Sequence, residues 1–285
     1  MKLKNYLQRA QAGDWAIAQI NFSTPEQLRG IFAAGANLRS PLILGTSEGE
    51  SKFLGFEEVI SLVKIYRKKY KFPMAFLNLD HGKNPDWIRL AVDFGYDAVH
   101  FDGSALSLED NIKQTKEIAK YGHRKGALVE GELGAVKGES VFHEGKAEIT
   151  RGDLTLPEDV ERFLKETRVD SLAVAIGNVH GVYNIMPHLD FERLAEINKK
   201  SEAFLVLHGG SGIPDQEIKQ AIKLGIAKIN FNTEIRIAWK KALESVFQKE
   251  PNEVKPYKVL PKVQEAIQKK VEEKIILLGG QDMNF

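Results

Sequence analysis

The chain has 285 residues, 43% hydrophobic and 28% charged, with 40 Lys and Arg against 39 Asp and Glu and no cysteine. This balance leaves no basic field for nucleic acid or an anionic membrane surface, and the missing thiols exclude disulfides and thiolate metal sites. Any transition-metal site must therefore use histidines and carboxylates, on one large α/β barrel or on two small domains.

The N-terminal stretch from Met1 to Gly13 is polar and lacks the apolar core of a signal peptide. No apolar run reaches membrane-spanning length, so the expectation is a soluble cytoplasmic protein with no membrane partner. Eight short apolar runs then follow, at 15–21, 41–45, 74–80, 98–102, 128–132, 171–175, 204–208 and 227–230. Each is too short for an ordinary helix and reads as a strand. Amphipathic segments with readable starts separate most of them. Thr24, Pro25 and Gln27 supply a cap, a first-turn proline and a capping-box partner. Asn84-Pro85, Ser107 with Glu109 and Asp110, and Thr155 with Pro157 read as further helix starts. Ile213-Pro214-Asp215 opens a helix running to about Leu224.

Repeated strand–helix alternation predicts a parallel sheet, and eight units favour closure into a (β/α)8 TIM barrel. No linker or charge block divides the chain, so residues 1–285 read as one barrel domain with a helical C-terminal extension over about 240–278, broken between Pro251 and Pro261. The Gly-rich, charged segment 134–152 reads as a long mobile loop.

In such a barrel the active site lies where strands end and βα loops begin. Reading those ends places His81, His180 and His208 on one rim, each followed by glycine. A His₃ set with an open fourth position is the zinc arrangement that polarises a substrate. Any one of them alone is most simply a hydrogen-bonded loop histidine. His100, His123, His143 and His188 read as surface or packing residues. The turn Gly209-Gly210-Ser211-Gly212 before a helix, with Asn230 to Thr233 after the eighth strand, matches the usual barrel phosphate site. Metal and phosphate on one rim point to a phosphorylated carbonyl substrate.

Leu79-Asp80-His81-Gly82, Asp102-Gly103-Ser104, Glu130-Gly131-Glu132-Leu133-Gly134, Ala175-Ile176-Gly177 with His180-Gly181, Leu207 to Ile213, and Lys228-Ile229-Asn230 with Asn232-Thr233-Glu234 come in order along the chain. Together they resemble the class II fructose-bisphosphate and tagatose-bisphosphate aldolases. The resemblance implies a metal, Zn²⁺ with Co²⁺ or Fe²⁺ as alternatives, on His81, His180 and His208. It implies that Asp80 handles the proton at the C4 oxygen of the cleaved bond. Asp102 and Glu132 match positions in the metal shell or at an alternative metal position. They read equally as outer residues that orient the histidines. Asn21 begins the matching stretch, and Gly181, Gly209, Gly210, Ser211, Asn230, Asn232 and Thr233 fall in the dihydroxyacetone-phosphate pocket. A monovalent cation, Na⁺ or K⁺, beside that pocket is implied as well. Ser47 and Arg236 match contacts to the distal phosphate, the arginine reaching across a subunit interface in a homodimer or homotetramer. On its own, Arg236 is most simply a solvated helix residue.

Two positions depart from the family pattern. Asn178 stands where Thr or Ser is usual. In the loop after Glu132, Ser140 occupies the place of the proton-abstracting carboxylate, which moves the expectation to its neighbour Glu139, with Glu144 and Glu148 as further candidates. Two rival functions follow: a Schiff-base aldolase using Lys228, and a non-catalytic sugar-phosphate-binding barrel. The residues do not separate fructose from tagatose bisphosphate.

Overall fold

A computed structural model describes residues 1–283. The elements run, in chain order, α1 (Leu3–Ala12), β1 (Ile17–Asn21), α2 (Pro25–Leu38), β2 (Leu42–Ser47), α3 (Glu48–Leu54), α4 (Phe56–Lys69), β3 (Ala75–Gly82), α5 (Pro85–Phe94), β4 (Ala98–Phe101), α6 (Leu108–Lys125), β5 (Leu128–Leu133), β6 (Phe142–Lys146), α7 (Pro157–Thr167), β7 (Ser171–Val174), β8 (Val182–Ile185), α8 (Phe191–Lys200), β9 (Phe204–Leu207), α9 (Asp215–Lys223), β10 (Ile226–Phe231), α10 (Thr233–Lys249) and α11 (Pro256–Leu277). Strands β1, β2, β3, β4, β5, β7, β9 and β10 close into a parallel barrel in that order. Each of the eight expected runs is one of these strands. Their residues are almost wholly buried because helices cover the outer face and side chains fill the inner one.

Most helix starts follow the residues that signal them. Thr24 Oγ1 accepts the Gln27 N–H at 3.3 Å, and Gln27 Oε1 accepts the Ser23 N–H at 2.8 Å. Asn84 Oδ1 and Ser107 Oγ cap α5 and α6 in the same manner. Thr155 departs from expectation. Its hydroxyl donates to the Leu133 carbonyl and accepts the Ala175 N–H at 2.8 Å, so it clasps β5 to β7 while Leu156 takes the cap position.

Three features differ from the sequence reading. The polar N-terminus forms α1, whose Leu3, Tyr6, Leu7 and Ala10 pack with Trp15, Ile43, Phe76 and Phe204 to close the N-terminal mouth of the barrel. The segment 134–152 is not wholly loop: it carries β6, which pairs in parallel with β8 in a two-stranded sheet outside the barrel. The C-terminal extension is shorter than expected. α10 starts at Thr233, directly after β10, and is the eighth barrel helix, which leaves α11 as the addition. Pro261 lies inside α11 rather than in the break. The stripe Val263, Ile267, Val271 and Ile275 is buried at four-residue spacing. It packs on α2, where a Cβ on Gly30 would stand 2.8 Å from the Gln264 carbonyl, so only glycine allows this approach.

Candidate active site

At the C-terminal rim a cavity of about 350 Å³ is lined by Asn21, Ser47, Asp80, His81, Lys83, Asp102, Glu139, Ser140, His180, Gly181, Gly209, Ser211, Asn230, Asn232, Thr233 and Arg236, among others. A larger hollow of about 1230 Å³ lies at the opposite end, around Lys4, Arg168 and Lys200, away from every residue with the expected chemistry.

The three rim histidines converge, and each has its second nitrogen tied. His81 Nε2 and His208 Nδ1 stand 2.7 Å apart. Behind them, His81 Nδ1 meets Asp102 Oδ2 at 3.2 Å, His208 Nε2 meets Glu130 Oε1 at 2.8 Å, and His180 Nδ1 meets the Val136 carbonyl at 3.2 Å. The His180 ring is 4.7 Å from that of His81, centroid to centroid, and belongs to neither of the two groups of donor atoms close enough to share a metal ion, Asp80 with His81, His100 and His208, and His81 with Asp102 and Glu132. Acceptors behind each ring fix its orientation and raise its basicity, as outer groups do around a metal. The two facing nitrogens of His81 and His208 are close enough to share a proton, which a bound cation would displace. The donor set therefore fits a divalent metal on His81, His180 and His208.

Asp102 and Glu132 both stand on the Nδ1 side of His81. Asp102 Oδ1 also accepts from Ser104 Oγ at 2.6 Å. Glu132 Oε2 lies 3.9 Å from His81 Nδ1 and 3.3 Å from His100 Nε2. In this geometry both carboxylates sit behind the ligating atoms. Burial disfavours a charge on His81, but Asp80, Asp102 and Glu132 outweigh it and raise its pKa to about 9. Burial together with the His81 charge lowers His180 to about 3 and moves His208 in the same direction.

Asp80 accepts from Asn21 Nδ2 at 2.9 Å on one oxygen and from Asn230 Nδ2 at 3.0 Å on the other. Burial works against its ionisation, yet the positive charges beside it, His81 foremost and Lys228 with it, hold it well below the usual carboxylate range. Asn21 Nδ2 also donates to Glu50 Oε2 at 3.1 Å, and Glu50 Oε1 accepts from Arg236 at 2.8 Å. Arg236 thus lines the cavity of its own chain. Ser47 caps α3 through Glu50 and faces the same cavity.

Gly209 and Ser211 of the glycine-rich turn line the cavity, and Gly210 between them does not. Gly209 has φ +63° and lies so near the Val179 carbonyl that a Cβ would sit 2.0 Å from it. The Gly210 N–H is bonded to the Asn230 carbonyl at 2.9 Å. The helix start that reaches the cavity is that of α10 at Thr233, whereas α9 begins at Asp215. Asn178 donates to the His208 carbonyl at 3.1 Å, so it holds a rim strand. Glu139 and Ser140 line the cavity, but Glu144 and Glu148 do not.

His100, Glu130 and Glu50 were not among the expected site residues, and Lys228 was expected only as the nucleophile of the rival Schiff-base reading. His100 is fully buried at the centre of the site rather than an ordinary packing residue. Lys228 Nζ donates to Glu130 Oε2 at 2.6 Å. A signal for three of them was present. Gln19 and Asn21, Asn78 and Asp80, His100 and Asp102, Glu130 and Glu132, Lys228 and Asn230 are polar pairs two residues apart, so each pair shares the inner face of its strand.

The fructose-bisphosphate aldolase class-II family profile matches residues 1–283. A fructose-bisphosphate aldolase from Geobacillus stearothermophilus is 37% identical over 270 residues, covering 94% of this chain and 92% of that one. The crystal structure of the YdjI aldolase from Escherichia coli K12 superposes with a TM-score of 0.83 at 31% identity, covering 99% and 98% of the two chains. A fructose-bisphosphate aldolase from Campylobacter jejuni shares the fold, with a TM-score of 0.84 at 23% identity over 99% and 95% of the chains. The strand-end histidines, the phosphate turn and the match over nearly every residue lead to one assignment: the chain belongs to the class II fructose-bisphosphate aldolase family.

Proposed function

We propose that the protein is a zinc-dependent ketose-bisphosphate aldolase that reversibly cleaves fructose or tagatose 1,6-bisphosphate to dihydroxyacetone phosphate and glyceraldehyde 3-phosphate. The observation that carries this reading is the convergence of His81, His180 and His208 beside the phosphate turn, each with its far nitrogen held. A zinc ion held by these three histidines would supply a Lewis acid that polarises the substrate carbonyl and stabilises negative charge developing on it. The chain's own groups do the rest. Gly181, Gly209, Ser211, Asn232 and Thr233, with the positive end of α10, hold the phosphate of the three-carbon ketone. In the cleavage direction Asp80 takes the proton from the C4 hydroxyl. In the condensation direction Glu139 removes the proton from the ketone carbon and Asp80 returns one to the new hydroxyl. Glu139 is the acidic residue of its loop that lines the cavity, which favours it over Glu144 and Glu148. Ser47 and Arg236 face the same cavity and serve the distal phosphate. A homodimer or homotetramer, and a Na⁺ or K⁺ ion beside the phosphate turn, belong to this reading on the family resemblance alone.

The Schiff-base alternative is disfavoured because Lys228 is buried against Glu130 and does not line the cavity. The deciding experiment is a coupled assay with both bisphosphates, with and without chelator and added zinc. Turnover that chelator abolishes and zinc restores is expected. Borohydride-trapped substrate with chelator-insensitive turnover would overturn the reading, and so would tight binding with no turnover under zinc.

A further inference from the structure

Neighbouring residues of a strand point to opposite faces, yet Asp80 and His81 both point into the site. The strand breaks its alternation between them. The register of β3 against β4 shifts between Leu79 and Gly82, and His81 has φ +47°. The other non-glycine residues with positive φ among those described, Asp14, Arg39, Lys71, Arg168 and Asp282, lie in turns or at helix ends. His81 is the one inside a strand, so something must hold it there.

The turn takes the His81 N–H out of the strand ladder. That N–H donates to His100 Nδ1 at 3.1 Å. A buried amide without an acceptor is unfavourable, so the contact stabilises the turned conformation. It also fixes the tautomer of His100: Nδ1 accepts, so the ring proton is on Nε2, which faces Glu132 Oε2 at 3.3 Å without lining up as a hydrogen bond. The His100 ring is fully buried and packs edge-on against His81 and His208, with centroids 4.9 Å and 4.8 Å away.

We infer that His100 is a positioning residue, which holds His81 in its ligating geometry through the backbone hydrogen bond at Nδ1. The inference rests on the reading of His81, His180 and His208 as metal ligands. His100 stands among the donor atoms around His81 and His208, but its Nδ1 accepts the His81 N–H and its Nε2 is turned toward Glu132, so neither nitrogen is directed at the ligating atoms. Without the bond, His81 N–H has no acceptor in the turn and the side chain loses its fixed approach to His208.

Three substitutions separate the two contacts of the ring. Asn places its amide oxygen near the position of Nδ1 and keeps the acceptor. Gln places its amide nitrogen near Nε2 and keeps only the donor toward Glu132. Leu keeps neither. Each purified protein is stripped of metal, titrated with zinc in competition with a chromogenic chelator, and loaded with Co²⁺ to record its visible absorption. His100→Leu is expected to weaken zinc binding by roughly 10- to 100-fold, the usual effect of losing a group that orients a ligand, and to change the Co²⁺ bands. His100→Asn is expected to stay close to the wild-type affinity and spectrum, and His100→Gln to follow the Leu variant. Wild-type affinity in His100→Leu overturns the inference. So do equal losses in the Asn and Gln variants, or rescue by Gln alone. If His100→Leu does not fold, the Asn and Gln pair decides. Failure of the wild-type protein to bind zinc in the same titration would strike the metal reading instead.

Discussion

Asp80 is positioned before any substrate arrives. Two amide groups, from Asn21 and Asn230, each hold one of its oxygens, and the surrounding cationic groups keep it ionised. A carboxylate fixed in this way reorganises little when a proton moves to or from the substrate. Asp80→Ala is expected to retain metal and phosphate binding and to lose carbon–carbon cleavage by a factor on the order of 10²–10⁴. Exchange of a dihydroxyacetone-phosphate proton with solvent should continue in this variant, because the proposed mechanism assigns that step to Glu139. Near-normal cleavage by Asp80→Ala would remove this residue from the mechanism. His81 gives a pH dependence with a definite sign. Its pKa in the metal-free protein is raised to about 9 by the carboxylates around it, so at neutral pH metal must displace a proton. Apparent affinity should rise about tenfold per pH unit below that pKa and level off above it, with about one proton released per metal bound. Calorimetric titrations in buffers of different ionisation enthalpy read that proton directly, and an affinity flat between pH 6 and pH 8 would contradict the assignment, since each unit there spans a tenfold change in proton competition.

At the scale of elements, the barrel strands were legible because each is a short apolar run bounded by turn residues. The helices with side-chain caps were legible for the same local reason. β6 and β8 were not. Phe142–Lys146 carries two charged residues and a glycine and is mostly exposed, so no hydrophobic alternation marks it. It is a strand because β8 lies beside it, and that contact spans two different βα loops. The pairing has a function in the reading above. His143 of β6 stacks on Tyr183 of β8 with centroids 4.3 Å apart, and His143 Nε2 meets the Glu139 carbonyl at 2.9 Å. The loop carrying Glu139 and Ser140 is thereby tied to the segment that follows His180. Tyr183→Ala should lower kcat and speed amide hydrogen exchange over residues 138–146, while zinc affinity holds. Unchanged exchange with full activity would show that the small sheet does not position the base.

For the whole molecule, the two ends of the barrel divide the work. The N-terminal mouth is closed by α1 and an apolar cluster, and the C-terminal rim carries the polar groups. Leu7→Ala, at the closed end, should cost about 2–5 kcal/mol of stability and leave KM unchanged. A changed KM would mean that the two ends are coupled. That His81, His180 and His208 meet at one rim was readable from the sequence because a barrel gathers strand ends, and so joins them across more than a hundred residues. The layer beneath it was not read, although it follows the same rule. His100, Glu130 and Lys228 sit two residues before rim positions, inside apolar strands where a lone polar residue is easily taken for packing. Glu50 was hidden for another reason: it lies in α3, a helix that the barrel pattern does not require.

That lower layer has an electrical consequence. Asp80, Asp102, Glu130 and Glu132 are all pushed toward the ionised state. Against them stand the Lys228 ammonium and, without metal, one imidazolium at His81. The metal-free barrel therefore encloses a surplus of negative charge with little water to screen it. A divalent ion is then a counter-ion to the scaffold as well as a participant in chemistry, and electroneutrality of the interior depends on it. Chelation should lower the melting temperature of the entire protein, because at free zinc a thousandfold above Kd the bound form gains about 4 kcal/mol over the unfolded chain. Raised ionic strength should recover only a small part of that loss, since buried charges are screened far less than exposed ones. A melting temperature indifferent to chelator would mean that the surplus is neutralised by protons rather than by metal.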